Sequence, residues 1–217
     1  SHASAETAVS HVLQGKAQLL MKGSLHTDEL MHAVMTVEGK GLRTERRVSH
    51  VFITDVPRYD ELLFITDAAI NIHPNLATKV DIVQNAADLH VALGLGIPRV
   101  AILSAVESVT EKIPSTLEAA ALCKMADRGQ ITDVIIDGPL AMDNAISLEA
   151  ARIKGIDSPV AGRAQILVVP DLEAGNMLAK NLAFLGGASA AGIVLGARVP
   201  IVLASRADSR STKLASC

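Results

Sequence analysis

Apolar and polar positions alternate along the first third of the chain in both helical and strand patterns. The stretches "AETAVSHVLQG", ended by Gly15, and "HTDELMHAVMT", with acidic side chains in its first turn, predict helices, and "AQLLMKG" between them predicts a strand. Two apolar strands, "RVSHVFITDV" and "ELLFITDAAI", then follow each other across a turn that contains Pro57. So short a connection predicts a hairpin, and the sheet should therefore be mixed here.

Beyond the Pro/Asn loop at residues 71–75 the alternation becomes regular. Helices are predicted in 76–93, "STLEAAALCKMADRG", "DNAISLEAARIKG" and "LEAGNMLAKNLAFLGG", and strands in "PRVAILSA", "TDVIIDG", "AQILVVPD", "AGIVLG" and "VPIVLAS". Ser115, with Glu118 three residues later, predicts a capping box at the start of its helix. Strand–helix alternation predicts an α/β protein with a largely parallel sheet, and the loop at 71–75 is the candidate boundary between two lobes.

Composition narrows the class of protein. The 217 residues are 49% hydrophobic but only 2% aromatic, so the core must be built from aliphatic side chains, which suits helices laid on a parallel sheet. A net charge of −3 without a basic stripe argues against a nucleic-acid partner. No apolar run reaches membrane-spanning length, and two cysteines, Cys123 and Cys217, indicate no disulfide framework. We therefore expect a cytoplasmic protein.

Small polar residues recur where the predicted strands end. In open α/β sheets, ligands bind outside the carboxyl ends of the strands. Turns and helix caps explain any one of these residues, but together they favour a ligand cleft along one edge. They are Lys22–Ser24, Thr66–Asp67, Ser104, Asp137–Gly138, Pro170–Asp171 and Ser205–Arg206.

The residue types at two of these positions suit an anion. Ser205 and Arg206 offer a hydroxyl and a bidentate guanidinium to a phosphate or carboxylate, and Arg43 in "GKGLRTERR" is a candidate second cation. Gly175 and Asn176 fall in the first turn of a helix, which indicates either close helix–strand packing or access of a phosphate to the helix N-terminus.

Other chemistries find less support. There is no G-x-x-x-x-G-K-[ST] loop and no G-x-S-x-G elbow, and the Gly94–Gly96 stretch follows a helix instead of joining a strand to one. His26 and His32 lack the spacing of a zinc site, so helix-face or capping roles are favoured and no metal is expected. Cys123 lies mid-helix, where packing is favoured over nucleophilic chemistry.

Several long motifs closely resemble the phosphate acetyltransferase/phosphate butyryltransferase family, in collinear order over nearly the whole chain. They also resemble the transferase domain that follows a hydratase-like domain in bifunctional enoyl-CoA hydratase/phosphate acetyltransferases. Family members are longer, so the resemblance implies a chain truncated at both ends. The motifs are "MKGSLHTDELM", "ITDAAINIHPNLATKVDIVQNAADL", "DGPLAMDNAIS", "SPVAGRAQILVVPDLEAGNMLAKNL" and "VPIVLASRADS".

The resemblance implies a three-layer α/β/α fold with two lobes, like that of isocitrate and isopropylmalate dehydrogenases. Residues 1–75 and 196–217 would form an incomplete first lobe, and residues 76–195 an inserted second lobe through which the family dimerises. It also implies reversible transfer of an acyl group between coenzyme A and phosphate, with coenzyme A as substrate and no further cofactor. A hydratase-like domain upstream is a further implied partner.

The resemblance implies that Ser205 donates a hydrogen bond to the thioester carbonyl oxygen. It also implies that Arg206 and Arg43 hold the phosphate. Relatives place a carboxylate base seven residues after the serine, where this chain has Thr212. Asp208, the nearby acid, is therefore either the base, a group that orients Arg206, or the cap of the next helix. Substrate-binding roles are further implied for Ser24, His26, Thr27, Asp137, Gly175 and Asn176.

Two other functions stay open at this point. A metal- and nicotinamide-dependent decarboxylating dehydrogenase of the same fold needs clustered Asp residues and a Lys/Tyr pair, but the sole Tyr59 is predicted in a turn. A scaffold that binds coenzyme A or phosphate without turnover is the non-enzymatic alternative. The sequence does not distinguish acetyl, propionyl and butyryl groups.

Overall fold

The computed structural model describes residues 2–36, 41–203 and 209–217. Its helices are α1 His2–Leu13, α2 Thr27–Met35, α3 Leu76–Ala92, α4 Pro114–Asp127, α5 Met142–Ile146, α6 Leu148–Ile153, α7 Leu172–Phe184 and α8 Arg210–Ala215. Its strands are β1 Leu20–Met21, β2 Ser49–Asp55, β3 Leu63–Thr66, β4 Arg99–Leu103, β5 Ile135–Leu140, β6 Ile166–Val168, β7 Ser189–Leu195 and β8 Ile201–Val202. The predicted α/β class is confirmed.

All these strands belong to one mixed sheet, in the order β1-β8-β7-β2-β3-β6-β4-β5. Strands β3, β6, β4 and β5 run parallel, as the strand–helix alternation predicts. Strands β2 and β3 pair antiparallel, so the predicted hairpin is confirmed. Strand β7 is also antiparallel to β2, and β8 to β7.

The pairing directions correct one expectation, namely that all the polar strand ends share one edge of the sheet. Strand β7 runs in the direction of β3, since two antiparallel pairings separate them. Strand β8 and its parallel neighbour β1 therefore run the opposite way. Lys22–Ser24 consequently follow a strand that ends at the edge opposite to Thr66–Asp67. Periodicity defines a strand but not its direction, so the sequence could not reveal this.

Helices cover the sheet on both faces. Adjacent residues of β3 point to opposite sides, and Phe64 packs in a cluster with Val83 of α3 and Leu122 of α4. Ile65 packs in a second cluster with Ala151 of α6 and Ala179 of α7. The fold is thus the predicted three-layer α/β/α arrangement, with an aliphatic core.

A third apolar cluster surrounds α1, α2 and the β1–β8 end of the sheet. It contains Val9, Leu30 and Leu42 together with Val48, Val194 and Ile201. The core of this end therefore draws on residues from both ends of the chain. The division into lobes at residues 71–75 stays a prediction.

Two local predictions are wrong. Helix α4 begins at Pro114 after Ile113, so Ser115 lies inside the helix and forms no capping box with Glu118. Proline at the first helical position is preorganised for a helix start, which explains the shift. The helix predicted in "DNAISLEAARIKG" is two short helices, since Ser147 accepts a hydrogen bond from the Ala150 N–H and thereby caps α6.

Candidate active site

A large cavity of about 950 Å³ opens beside α2. Its walls come from α2, the irregular segment 43–48, the loop that follows β3, and the first turn of α7. The lining combines three arginines of segment 43–48 with acidic and apolar side chains. It comprises His26, Thr27, Asp28, Met31, Met35, Arg43–Val48, Ala69–Ile72, Leu172 and Glu173.

Segment 43–48, the basic wall of the cavity, is fastened to the chain that precedes β8. Arg43 forms an isolated β-bridge with Ala197, and the Thr44 hydroxyl donates to the Gly196 carbonyl at 2.7 Å. Gly196 has a φ of +86°, and a Cβ at this position would lie 2.3 Å from the Arg47 carbonyl oxygen. Only glycine fits this close approach, which brings the two segments together.

Helix α3 fastens the same wall from the other side. Asp81, Asn85 and Asp88 are spaced by four and three residues, which places them on one face of the helix. Asp81 accepts from the Arg47 N–H at 3.0 Å, and the Asn85 amide donates to the Arg47 carbonyl at 2.9 Å. Asp88 forms an ion pair with Arg46. The backbone of Arg47 is therefore held at both its N–H and its carbonyl.

The basic wall retains charge that can attract an anion. Arg46 is neutralised by Asp88, but Arg43 and Arg47 have no carboxylate within ion-pair distance among the residues that the structure describes. Both are exposed and line the cavity. Two guanidinium groups in one cavity suit a phosphate, which they bind by charge-assisted hydrogen bonds.

A buried carboxylate shapes another part of the cavity wall, the loop after β3. Asp67, 2% exposed, accepts from the N–H groups of Ala69, Ile70 and Asn71 at 3.0–3.1 Å and from the Asn71 amide at 2.6 Å. The Asn71 amide also donates to the Val48 carbonyl at 2.9 Å. One side chain therefore fixes the loop after β3 and ties it to the start of β2.

Two opposing effects act on Asp67. Burial raises the pKa of its carboxyl, and the hydrogen bonds from Ala69, Ile70 and Asn71 oppose that rise. All four partners are donors, so the carboxylate form alone satisfies the arrangement.

The structure brings three of the predicted site residues together and leaves others apart. His26, at the N-cap position of α2, Thr27 and Arg43 line the cavity. Ser24 is exposed in the loop before α2 and is not part of the lining. Asp137 lies on β5, the edge strand at the far end of the sheet, and accepts from the Gly138 N–H. The predicted catalytic residues Ser205, Arg206 and Asp208 lie outside the described residues.

Of the two alternatives for Gly175 and Asn176, the geometry matches close packing. A Cβ on Gly175 would lie 2.7 Å from Val169 Cγ2 and 2.9 Å from Ala68 Cβ. The Asn176 amide donates to the Ala68 carbonyl at 3.1 Å. Both residues thus hold α7 against the end of β3, behind the loop that lines the cavity.

One alternative for Asp208 is wrong. Helix α8 is capped by Ser209, whose hydroxyl accepts from the Thr212 N–H at 3.1 Å. Thr212, at the position where relatives of the resembled family place a carboxylate, lies within α8. Orientation of Arg206 and service as the base remain the roles predicted for Asp208.

Sequence reasoning missed the residues that anchor the cavity walls. Arg47 follows Arg43 in "GKGLRTERR" but was given no role, and Asn71, Asp81 and Asn85 lie in a long family motif without a role of their own. The polar spacing of Asp81, Asn85 and Asp88 on a largely apolar helix was the available signal. Their partners are more than 30 positions away in the sequence, so only the fold reveals their purpose.

The remaining candidate chemistries find no site in the described part of the chain. Neither cysteine forms a disulfide, and burial raises the pKa of the Cys123 thiol to about 12, which agrees with a packing role. Among residues 2–36, 41–203 and 209–217, no group of three His, Cys, Asp or Glu side chains is placed to hold a metal ion. No helix in those ranges is both long and apolar enough to cross a membrane.

Comparison with known proteins gives close relatives over the whole chain. A phosphate acetyltransferase of Rhizobium meliloti is 73% identical over 217 residues, which are 100% of this chain and 68% of the relative. A phosphate acetyltransferase of Rickettsia prowazekii is 61% identical, and the match covers 100% of this chain but 62% of the relative. A phosphate butyryltransferase of Clostridium acetobutylicum is 45% identical over 95% of this chain and 68% of the relative. This chain thus spans about two thirds of the length of these relatives.

Solved structures agree. A branched-chain phosphotransacylase from Enterococcus faecalis superposes with a TM-score of 0.89 at 38% identity, over 99% of this chain and 76% of that one. A 4-hydroxythreonine-4-phosphate dehydrogenase from Klebsiella pneumoniae, at 15% identity and a TM-score of 0.56 over 99% of this chain and 67% of that one, shares the fold alone. Residues 2–217 match the family described as phosphate acetyl/butaryl transferase. The chain therefore belongs to the phosphate acetyl/butyryl transferase family.

Proposed function

We propose that the protein transfers a short acyl group reversibly between coenzyme A and inorganic phosphate in a ternary complex. The observation that carries the proposal is the family match over residues 2–217, together with 73% identity to a phosphate acetyltransferase across the whole chain. In the reaction, a phosphate oxygen attacks the thioester carbonyl carbon and the carbon–sulfur bond breaks. The proton of the phosphate passes to the departing thiolate, so acyl phosphate and coenzyme A are formed.

The cavity beside α2 suits this chemistry. Phosphate must be held against the thioester, and the oxyanion that develops needs donors. Arg43 lines the cavity and has no carboxylate partner in the described ranges, which supports its role in holding phosphate together with Arg206. In the proposal Ser205 donates to the carbonyl oxygen, and His26 and Thr27 contact the substrate from the start of α2.

In this proposal Asp208 is the base that takes the proton of the coenzyme A thiol when the acyl group moves to coenzyme A. Its alternative role is to orient Arg206. Thr212 occupies the position of the carboxylate in acetyltransferase relatives, and its N–H is bound to Ser209. A threonine hydroxyl is a poor base near neutral pH, which favours the aspartate.

Acetyl and butyryl groups are the two proposed acyl groups, since relatives of both names match the chain. The whole-chain identity is higher to the acetyltransferase, at 73% against 45%. Coenzyme A is a substrate in this proposal and no other cofactor is required. We further propose that the protein forms a homodimer, that a hydratase-like domain is a possible upstream partner, and that the protein is cytoplasmic.

The test is thioester formation from coenzyme A and acetyl or butyryl phosphate, followed for the purified chain and for Arg43→Ala and Arg206→Ala. Arg152→Ala is the matched control, because Arg152 is exposed on α6 and does not line the cavity. Turnover that both cavity variants reduce at least tenfold, with the control unchanged, is the expected result. The better acyl phosphate identifies the acyl group.

Binding of coenzyme A without any turnover would contradict the proposal and support the alternative of a non-catalytic domain that binds coenzyme A or phosphate. Isothermal titration with coenzyme A and with inorganic phosphate separates these outcomes. Turnover unaffected by Arg43→Ala would remove Arg43 from the phosphate site.

A further inference from the structure

We propose that Arg47 is a further anion-binding residue of this enzyme, held in its binding position by Asp81 and Asn85 of α3. The inference rests on the proposed function, since the anion is a phosphate group of one of its substrates. That group belongs either to the acyl phosphate and inorganic phosphate or to coenzyme A. The chemistry that recognises it is the same in both cases.

The first step of the argument is the state of the side chain. Arg47 is exposed, lines the 950 Å³ cavity and has no carboxylate within ion-pair distance in the described ranges. Its neighbour Arg46 is also exposed, but its charge is neutralised by the ion pair with Asp88. Of two adjacent arginines, only Arg47 therefore presents an uncompensated guanidinium to the cavity.

The second step is the way its backbone is held. Asp81 accepts from the Arg47 N–H at 3.0 Å, and the Asn85 amide donates to the Arg47 carbonyl at 2.9 Å. Asn85 is 3% exposed and also donates to the Ser49 hydroxyl at 2.9 Å, so it cannot follow a moving loop. A residue in an irregular, exposed segment has both of its backbone groups fixed by side chains of a packed helix.

The third step is what this fixation supplies. An arginine that is free to move pays conformational entropy when it binds an anion. Fixing the backbone removes part of that cost before the ligand arrives. Because Asp81 binds the N–H of Arg47 instead of its guanidinium, it positions Arg47 without neutralising it.

The shape of the cavity agrees with a phosphorylated ligand that also has apolar parts. Met31, Met35 and Ile70 line the same cavity as the basic segment. A ligand with both phosphate and apolar groups, such as coenzyme A, would contact both kinds of side chain. A small inorganic phosphate would contact the basic wall alone.

The test is steady-state kinetics of thioester formation, with coenzyme A and acetyl phosphate varied in turn. Arg47→Ala should raise the KM of the substrate whose phosphate it binds by about tenfold to a hundredfold, with a much smaller change in kcat. Arg47→Lys keeps the charge but loses the bidentate guanidinium, so its KM should lie between those of the wild type and Arg47→Ala. Arg152→Ala is the matched control. The substrate whose KM rises identifies the source of the phosphate.

The positioning role of Asp81 is tested by the coupling between its substitution and that of Arg47, which a general loss of stability would not produce. Asp81→Ala should raise the same KM, and its effect should disappear when Arg47 is already alanine, since it acts through Arg47. Asp81→Asn keeps an acceptor for the Arg47 N–H and removes a negative charge, so its KM should equal or fall below that of the wild type. If the effects of Arg47→Ala and Asp81→Ala on KM were additive in the double variant, the positioning role of Asp81 would be overturned.

Unchanged KM values for both substrates in Arg47→Ala would overturn the inference as a whole. A wild-type chain that binds but does not turn over contradicts the proposed function alone. In that case the Kd values of coenzyme A and inorganic phosphate for the wild type and Arg47→Ala decide the inference. Equal Kd values for the two proteins would then reject it.

Discussion

His50 is a histidine that the fold buries in its neutral form. It lies on β2 with 1% of its surface exposed, and burial lowers its pKa from 6.5 to about 4. Its ring centroid is 4.4 Å from that of Phe52, and a Cβ on Gly192 would lie 2.9 Å from Nε2. Its Nδ1 has no hydrogen-bond partner among the described residues. Among the described residues, no contact of the ring favours the imidazolium.

The sign of the pH effect follows from proton binding. Between pH 6.5 and about 4, the unfolded chain binds a proton at His50 and the folded chain does not, so acidification favours unfolding. Each pKa unit corresponds to about 1.4 kcal/mol. The His50 contribution to the free energy of unfolding should therefore be complete above pH 6.5. About 2 kcal/mol of it should be lost at pH 5, and about 3 kcal/mol at pH 4.

Urea unfolding at several pH values from 7 to 4.5 measures this loss. His50→Leu replaces the ring by an apolar side chain that does not titrate, so its stability should fall by about 2 kcal/mol less than that of the wild type between pH 7 and pH 5. Asp67, whose pKa burial raises, contributes with the opposite sign in both proteins and cancels from the comparison. Parallel pH profiles for the two proteins would refute the reasoning.

Three further perturbations have defined outcomes. Glu118→Ala should lower the free energy of unfolding by about 3 kcal/mol, because it leaves the buried Lys79 ammonium without its partner, as chemical denaturation would measure. Asp67→Asn should cost about 2 kcal/mol by removing a charged acceptor of four N–H groups, and should raise KM values in the acyl-transfer assay because the loop lines the cavity. Gly175→Ala should cost about 1–3 kcal/mol and lower Tm, since its Cβ would overlap atoms behind that loop.

Each of these has a matched control on the same molecule. Lys124→Ala breaks an exposed ion pair with Asp127 and should change stability by less than about 1 kcal/mol. Asp60→Asn, which removes an exposed carboxylate, is the control for Asp67→Asn. Asn181→Ala, at an exposed position of α7, is the control for Gly175→Ala. Both controls should change the free energy of unfolding little. A control as destabilising as its partner variant would show that burial and packing are not the cause.

Local signals in the sequence predicted much of the fold. Gly15 ends α1 with a φ of +71°, and Asp28 and Glu29 occupy the first turn of α2 as predicted. Asn75 caps α3 through the Thr78 N–H at 2.9 Å, in the loop chosen as a boundary. These features depend on residues a few positions apart, so periodicity and turn chemistry suffice to find them.

Predictions that depend on distant partners were less complete. Ser115 and Glu118 have the spacing of a capping box, but Ser115 contacts the Ser104 hydroxyl at 2.8 Å and Glu118 pairs with Lys79 of another helix. The directions of β1 and β8 depend on the order of strands in the whole sheet. Local spacing cannot report either, because tertiary packing decides them.

The same reasoning explains why the sequence located Arg43 and missed its surroundings. Two parts of the cavity wall, segment 43–48 and the loop after β3, are largely irregular, so most of their backbone groups need partners outside the sheet. Asp67 supplies them on one side and Asn85 on the other. The side chains that satisfy the backbone are thereby the ones that fix the shape of the cavity. A change at either residue should therefore alter substrate binding as well as stability, although neither needs to touch the substrate.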